Sequence, residues 1–326
     1  MDRKRIIVTG IGGNVGQGIV RNIRKEAYDI HITGTNTTSF SGGNHLCDIV
    51  YQVPFAYTDD YIPELNRIIA NEGIDLIIPS TDYEVYYLAL HRDRLNAPVA
   101  VSGVGSAEIY LDKYLSFLQH QKFNIPFANS ILPSAYTGQF EKFILKPRKG
   151  RGSRGLHFNP PSWAGFSDEE YMVQELHAGE EITTAFYVTR NGELHGHITL
   201  LRHLDNGATN QCKVVFEHDE KLTAILEDII RHSDIRGAAN LQSIVTSDGK
   251  IHPFELNCRI SGTNSIRSNF GFDDVNYTIQ EYLYNTVPDK PVIKGGVAVR
   301  ILMDVIYPDQ TEFSAALNRS SVFYIF

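Results

Sequence analysis

Residues 4–105 alternate short apolar runs with amphipathic helical patterns, and this alternation limits the fold more than any other feature. In the pattern over residues 61–72, the apolar side chains of Ile62, Leu65 and Ile68 share one helical face. Strands are predicted over residues 5–9, 30–35, 75–79 and 99–101, and helices over residues 15–24, 61–72 and 83–94. Strands that alternate with helices at this spacing favour a parallel sheet, so the pattern predicts a Rossmann-like α/β domain.

The pattern changes after Asp112, where strands begin to follow one another through tight turns. Strands are predicted over residues 143–146, 171–175, 184–189, 195–201, 239–245 and 251–257, and one amphipathic helix over 220–232. The pairs Asn191-Gly192 and Asp248-Gly249 are strong turn signals between neighbouring strands. The expected fold class is therefore α/β in the first part of the chain and antiparallel α+β in the second.

Two glycine clusters follow predicted strands. Gly10, Gly13 and Gly16 lie between the first strand and the first helix, at a spacing that resembles the cofactor loop of extended short-chain dehydrogenases. Those enzymes need a Tyr-x-x-x-Lys pair, and none of the 17 tyrosines has a lysine four residues later. No acid follows the second strand to hold a ribose. The cluster is therefore interpreted as a tight turn, with an NAD(P)-linked oxidoreductase as the weaker alternative.

The second cluster, Gly150, Gly152, Ser153 and Gly155, is basic and follows Lys146 at the end of a predicted strand. Backbone N–H groups of such a loop can close over a polyphosphate, and a lysine at the strand end can meet phosphate oxygens as a point charge. The alternative is a solvated basic turn. Because the strand, the lysine and the glycine spacing agree, a phosphate-binding loop is favoured.

The turn at Asp248-Gly249 predicts the register of the hairpin that it joins. A two-residue turn places Ser247 opposite Lys250. In that register, the numbers of any two paired residues sum to 497. Four oxygen-bearing side chains then share one face of the sheet, namely Asn240, Gln242, Glu255 and Asn257, and Arg259 continues that face. Such oxygens suit Mg²⁺ held against phosphates, whereas the alternative is a solvent-facing polar side of a half-buried sheet. If the two strands paired one residue out of this register, these side chains would no longer share one face of the sheet.

Composition narrows the classes of partner. Thirty Lys and Arg against 38 Asp and Glu give a net charge of −8, which is unfavourable for general nucleic-acid binding. No apolar run approaches the ~18 residues of a membrane span. The three cysteines form neither a zinc pattern nor a disulfide framework. We therefore expect a cytoplasmic protein that binds neither nucleic acid nor membrane.

In this order, the motifs resemble the ATP-grasp superfamily, especially one ligase half of the carbamoyl-phosphate synthetase large subunit and related carboxylate–amine ligases. The resemblance covers nearly the whole chain. It implies a pre-ATP-grasp Rossmann-like domain over residues 1–112, a small lid subdomain over 113–182 and a large subdomain with the metal site over 183–326.

The resemblance also implies a nucleotide-binding role for matched residues. Lys113 and Lys146 match lysines that contact phosphate, and residues 150–155 match the flap over the β- and γ-phosphates. The segment of Glu175, Leu176 and His177 matches the adenine-binding hinge, although alone it reads as a polar turn. Glu181 matches the acid that binds the ribose hydroxyls.

For catalysis, the resemblance implies metal ligands at Gln242, Glu255 and Asn257, with Glu255 bridging two ions. Arg259 matches the arginine that stabilises the transferred phosphoryl group, together with Lys146. Two departures stand out. Gln242 replaces a carboxylate at the first metal position, and the segment after Arg259 differs from that of carbamoyl-phosphate synthetases, so bicarbonate is not assumed as the substrate.

The function implied is an ATP-grasp carbon–nitrogen ligase that forms ADP. Mg-ATP would phosphorylate a carboxylate, and an amine would displace the phosphate to give an amide or peptide-like bond. The expected cofactors are ATP and Mg²⁺, with Mn²⁺ as the other ion, and the partners are a small carboxylate, an amine and a second copy in a homodimer. Arg267 and Arg300 are candidates for binding the substrate carboxylate. The main alternative is an ATP-binding regulatory module without turnover.

Overall fold

The computed structural model describes residues 3–26, 28–150, 154–308 and 310–326. Its strands are β1 (Lys4–Val8), β2 (Ile30–Asn36), β3 (Ile49–Gln52), β4 (Leu76–Ile78), β5 (Ser130–Ile131), β6 (Phe143–Pro147), β7 (His157–Phe158), β8 (Tyr171–Glu175), β9 (Glu180–Val188), β10 (Leu194–Asp205), β11 (Ala208–Val215), β12 (Gly237–Val245), β13 (Ile251–Asn257), β14 (Val297–Val299), β15 (Val305–Ile306) and β16 (Tyr324–Ile325). Its α-helices are α1 (Asn14–Lys25), α2 (Tyr61–Glu72), α3 (Asp82–Leu90), α4 (Val104–Leu111), α5 (Lys113–Lys122), α6 (Asp219–Arg231), α7 (Asn264–Arg267) and α8 (Asp274–Thr278).

The N-terminal domain is built on a parallel sheet of order β3-β2-β1-β4, which confirms the predicted α/β architecture. Ile6, Ile7 and Val8 of the central strand β1 are fully buried, since helices cover both faces of the sheet. The sequence pattern missed β3. The strand predicted over residues 99–101 is reduced to a single parallel bridge between Ile77 and Val99. The helix predicted over 83–94 ends at Leu90 and gives way to a 3₁₀ turn.

Two glycines of the first cluster have packing roles. Gly10 has φ +57°, in the left-handed region that favours glycine, where the chain turns from β1 towards α1. A Cβ on Gly16 would lie 2.5 Å from the carbonyl oxygen of Gly10, so only glycine lets α1 approach the turn this closely. Both glycines are thus explained without a bound dinucleotide.

Beyond the N-terminal domain, the described residues form two larger antiparallel sheets and a short antiparallel pair of β15 with β16. The smaller has the order β5-β8-β6-β7, and the larger has the order β13-β12-β9-β10-β11-β14. Strand β9 begins at Glu180 and pairs with β10 and β12 of the larger sheet. The expected division of the chain at residues 112 and 182 stays a prediction. Helices α4 and α5 both pack against β13 and connect the N-terminal domain to the antiparallel sheets.

The β12–β13 hairpin has the predicted pairing at its functional end, but for a different reason. Asn240 faces Asn257 and Gln242 faces Glu255, so these paired numbers sum to 497 as predicted. Near the turn, Val245 faces Ile251 and the sum is 496.

Two local features produce this change of register. The turn is one residue longer than predicted, because Thr246 rather than Ser247 bonds to Lys250. A bulge that leaves Phe254 unpaired then restores the predicted register. The predicted pairing of Ser247 with Lys250 is therefore wrong.

The C-terminal segment returns to the N-terminal domain. The Arg319 amide donates to the Cys47 carbonyl at 2.9 Å, and the Arg319 guanidinium lies 3.4 Å from Asp48. Cys47, Cys212 and Cys258 are buried thiols without disulfide partners. Across the described ranges, no helix combines the length and the apolar character needed to cross a membrane.

Candidate active site

Lys146 lies at the centre of the candidate site, where β6 of the small sheet meets β13 of the large sheet. Its Nζ donates to Gln174 Oε1 at 2.7 Å and to the carbonyl oxygen of Phe254 at 3.3 Å. Phe254 is the bulged residue of β13, so the bulge that restores the register also presents this carbonyl to the lysine. Burial lowers the pKa of Lys146 to about 7; Glu255 opposes this change and Lys113 adds to it.

A second lysine reaches the same place from another element. Lys113 is the first residue of α5, and its Nζ donates to the carbonyl oxygen of Gly150 at 3.0 Å and lies 3.6 Å from Glu255 Oε1. Asp112 caps this helix and also forms an ion pair with Arg148 at 2.8 Å. The cap and the ion pair fix the start of α5 beside the end of β6, which places Lys113 next to the glycine loop.

The predicted oxygen-bearing face is present, and its side chains already have partners. Asn240 is buried and its Oδ1 accepts from the hydroxyls of Thr183 at 2.9 Å and Ser261 at 3.0 Å. This asparagine is held by the protein itself and does not point to a ligand. The other three face members, Gln242, Glu255 and Asn257, each lie against a cationic side chain.

Arg202 on β10 is a site residue that sequence analysis missed. Its Nε donates to Glu181 Oε1 at 2.9 Å, and its Nη2 bonds to both Glu181 and Gln242. The arginine thus joins the expected ribose-binding acid to the first expected metal position. No local motif marks it, because its partners come from strands 21 and 40 residues away.

Arg259 lies beyond the end of β13, where its guanidinium spans two domains. Nη2 donates to Asn257 Oδ1 at 3.2 Å and to Asp82 Oδ2 at 2.9 Å, and Nε lies 2.9 Å from Asp82 Oδ1. Asp82 begins α3 of the N-terminal domain, so this two-point contact connects that domain to the antiparallel face.

The expected adenine hinge follows β8. Glu175 and Leu176 donate their amides to the carbonyls of Asn129 at 2.8 Å and Lys142 at 2.9 Å, so these two N–H groups are already used. The His177 amide has no backbone acceptor among the described residues. The His177 ring stacks on His252 with centroids 3.7 Å apart. At this hinge the His177 amide is therefore the donor available to a nucleobase.

The glycine loop is only partly described. Gly150 accepts from Lys113, and Gly155 has φ +68°. Gly152 and Ser153 lie outside the described residues. The predicted role of the loop as a flap therefore stays a prediction.

The two arginines expected to bind a substrate carboxylate differ from each other. Arg267 is 0% exposed. Its Nη2 and Nε bond to Asp274 at 2.5 and 3.3 Å, and its Nη1 bonds to the hydroxyls of Ser261 and Thr263, both at 2.8 Å. A substrate cannot reach it, so the expectation for Arg267 is wrong and its role is structural.

Arg300 fits a ligand-binding role better than Arg267. It follows β14, and its Nη2 bonds to the carbonyl of Gly262. Its buried Nε has no partner among the described residues, and burial lowers the pKa of the guanidinium. Arg300 therefore stays a candidate for binding an anionic group.

The residues present fit a hard cation. No cluster of three or more His, Cys, Asp or Glu side chains occurs in the described part of the chain. The candidate set consists instead of one carboxylate and two amide oxygens, Glu255, Gln242 and Asn257, which are ligands that suit Mg²⁺. Each of these oxygens lies near or accepts from a cationic nitrogen, so the same atoms are already placed against positive charge.

The chain is similar to known proteins in its N-terminal domain and in its fold. A family model described as the PylC-like N-terminal domain matches residues 6–101. Among curated protein sequences, none is significantly similar to the chain. N5-carboxyaminoimidazole synthetase from Staphylococcus aureus, solved with ADP, has a TM-score of 0.76 at 13% identity over 92% of this chain and 82% of that chain.

Two further solved structures are similar over nearly the whole chain. N5-carboxyaminoimidazole ribonucleotide synthetase from Thermotoga maritima has a TM-score of 0.70 at 15% identity over 93% of this chain and 84% of that chain. The biotin carboxylase domain of Hydrogenobacter thermophilus 2-oxoglutarate carboxylase, solved as a dimer with MgADP, ADP and bicarbonate, has a TM-score of 0.70 at 12% identity over 95% of this chain and 76% of that chain. These likenesses show the fold.

The chain therefore has the ATP-grasp fold. Residues 6–101 are similar to the family model of the PylC-like N-terminal domain. The predicted Rossmann-like domain followed by a two-part ATP-grasp is confirmed.

Proposed function

We propose that the chain is an ATP- and Mg²⁺-dependent carboxylate–amine ligase that forms ADP. The observation that carries the proposal is the meeting of Lys113, Lys146 and Glu255 at one point, although they come from α5, β6 and β13. The ATP-grasp fold supports it, since the similar solved structures include ADP complexes.

The site supplies the electrostatics that phosphoryl transfer requires. The transferred group spreads negative charge over its oxygens, so positioned cations lower the barrier. Lys113 and Lys146 would contact the phosphates, and Arg259 would contact the transferred group. With a pKa of about 7, Lys146 is close to half protonated at neutral pH and would become fully charged beside a polyphosphate.

Gln242, Glu255 and Asn257 would hold Mg²⁺. When bound, the ion neutralises phosphate charge and polarises the phosphoryl oxygens. For these side chains to act as ligands, Lys113 and Arg202 must turn from Glu255 and Gln242 towards the nucleotide. We propose that Glu181, released from Arg202 in the same change, accepts from the ribose hydroxyls.

The proposed reaction has two steps. A carboxylate oxygen of the substrate attacks the γ-phosphorus, the bond to the β–γ bridging oxygen breaks, and ADP leaves with that electron pair. The amine nitrogen then attacks the acyl carbon, the carbon–oxygen bond to phosphate breaks, and the nitrogen loses a proton to solvent. Water must be excluded between the steps because it would hydrolyse the acylphosphate. The loop over residues 150–155 is proposed to do this.

Hydroxylamine trapping tests the proposal directly. The protein is incubated with Mg-ATP, hydroxylamine and single carboxylates from a panel of amino acids, hydroxy acids and aromatic acids. We expect one carboxylate class to give hydroxamate and ADP in equal amounts. Glu255→Ala should abolish both products. Glu227 is exposed, so Glu227→Ala serves as the control and should preserve them.

The same assay separates the proposed ligase from both alternative functions, because neither alternative forms hydroxamate and ADP with a carboxylate. A regulatory module would bind Mg-ATP but release no ADP with any carboxylate. An NAD(P)-linked oxidoreductase would bind the dinucleotide instead, and the packing roles of Gly10 and Gly16 weigh against it. Cytoplasmic location and homodimer formation stay predictions. The first is supported by three unbridged, buried thiols, and size measurement in solution tests the second.

A further inference from the structure

We propose that Asp82 of the N-terminal domain is a positioning residue that sets the orientation of Arg259 for phosphoryl transfer. This inference rests on the proposed function. The observation is the two-point contact in which both carboxylate oxygens of Asp82 lie 2.9 Å from guanidinium nitrogens of Arg259. These residues are 177 positions apart in the chain.

The backbone that carries Asp82 is rigidly supported. Thr81 caps α3 by accepting from the Glu84 amide, and the buried Glu84 carboxylate accepts from the hydroxyls of Thr9 at 2.7 Å and Thr81 at 2.8 Å. The Ser80 amide donates to the Thr9 hydroxyl at 3.1 Å. These bonds tie the start of α3 to the end of β1, so Asp82 is presented from a fixed platform.

Arg259 needs such support because its side chain has many rotamers. Its neighbours Cys258 and Ile260 are buried and fix its backbone. The guanidinium is oriented by Asp82, by Asn257 and by a hydrogen bond from Nη1 to the Ile260 carbonyl at 3.3 Å. A planar fork that donates to one carboxylate oxygen through Nη2, and whose Nε lies 2.9 Å from the other, loses little further freedom when it meets a phosphoryl oxygen. Asp82 thus acts through Arg259 and does not itself touch the nucleotide.

The contact also has an opposite interpretation that the test must exclude. Asp82 could occupy the place of a substrate carboxylate on Arg259 and inhibit the ligand-free enzyme. Positioning and inhibition predict opposite changes in turnover. Removing the charge of Asp82 lowers turnover if Asp82 positions Arg259 and raises it if Asp82 inhibits the enzyme.

The experiment is a double-mutant cycle on the full chain, with ADP release measured on the carboxylate that hydroxylamine trapping identifies. Asp82→Asn, which is isosteric, should lower kcat by roughly 10- to 100-fold, the range seen when the hydrogen-bond partners of metal-ligating side chains are lost. The KM for ATP should stay within about twofold, and Asp82→Asn should cause no further loss in an Arg259→Ala background, because coupled residues are not additive. Asp82→Glu keeps the charge and should recover part of kcat.

Asp59 is exposed, so Asp59→Asn is the matched control and should leave kcat unchanged. Three results would overturn the inference. The effects of the Asp82 and Arg259 changes on kcat could multiply independently, or Asp82→Asn could raise kcat. In the third, Asp82→Glu recovers no kcat although both Asp82 variants fold. If Asp82→Asn does not fold, Asp82→Glu alone must show an altered kcat at unchanged ATP KM. A wild-type protein that releases no ADP with any carboxylate overturns the proposed function and this inference together, whereas an active wild type with additive variants overturns this inference alone.

Discussion

The burial of Lys146 predicts a stability difference that depends on pH. Folding lowers the pKa of this lysine from 10.5 to about 7, so between these values the unfolded chain binds one more proton than the folded chain. Stability therefore rises with pH across this window, by about 1.4 kcal/mol for each pH unit while the folded lysine is neutral. From pH 7 to pH 9 the folded wild type should gain about 2–3 kcal/mol from this group.

Lys146→Met removes the titrating group and keeps its length. The variant also leaves Gln174 Oε1 and the Phe254 carbonyl without a donor, at about 1–3 kcal/mol for each buried acceptor, but this cost does not change with pH. The free energy of unfolding of the wild type minus that of the variant should therefore increase by about 2–3 kcal/mol between pH 7 and pH 9.

Urea unfolding at the two pH values measures this difference. Trp163 is the single tryptophan and packs on Tyr136 and Phe143 of the small subdomain, so its fluorescence reports the part of the structure that contains Lys146. The control is Lys290→Met at an exposed lysine, for which the difference should be the same at both pH values. An equal difference for Lys146→Met would refute the assigned burial and pKa of this residue.

Three further predictions follow from the same contacts. Nucleotide binding at pH 8 should take up close to one proton, because phosphate raises the pKa of a mostly neutral Lys146; calorimetry in buffers of different ionisation enthalpy checks this, and uptake that persists in Lys146→Met would contradict it. Arg267→Ala should destabilise the protein by about 3–5 kcal/mol because it leaves Asp274 buried without its partner; a raised substrate KM at unchanged stability would restore the ligand role rejected above. Glu255→Ala should abolish ADP formation with a change of melting temperature no larger than that of Glu227→Ala, and near-normal turnover would remove the metal assignment.

The predicted register of the polar face is correct because two local deviations in the hairpin cancel each other. The sequence predicts a two-residue turn at Asp248-Gly249, but the turn is longer by one residue. The unpaired Phe254 then cancels the error before the strand reaches Glu255. Pro253 marks this position, since proline is confined to edge strands and bulges, and β13 is the edge strand of its sheet.

Other features could not be predicted because their causes lie far away in the chain. Asp82 and Arg202 become site residues only when strands and domains come together, and neither belongs to a local motif. Helix α4 packs against both α3 and β13, so its apolar residues do not form one stripe. The periodicity of apolar residues therefore does not predict this helix. The structural role of Arg267 could not be predicted, because burial next to Asp274 cannot be recognised from residue type alone.

The central claim is that the site between the small and large sheets binds Mg-ATP, and a thermal-shift comparison tests it most directly. Mg-ATP at 100 times its dissociation constant should stabilise the folded protein by about 2.7 kcal/mol. We predict a rise in melting temperature with Mg-ATP that is much smaller with ATP and EDTA, and no rise with NAD(P). A rise with NAD(P) and none with Mg-ATP would contradict the account and move the ligand site to the turn at Gly10–Gly16.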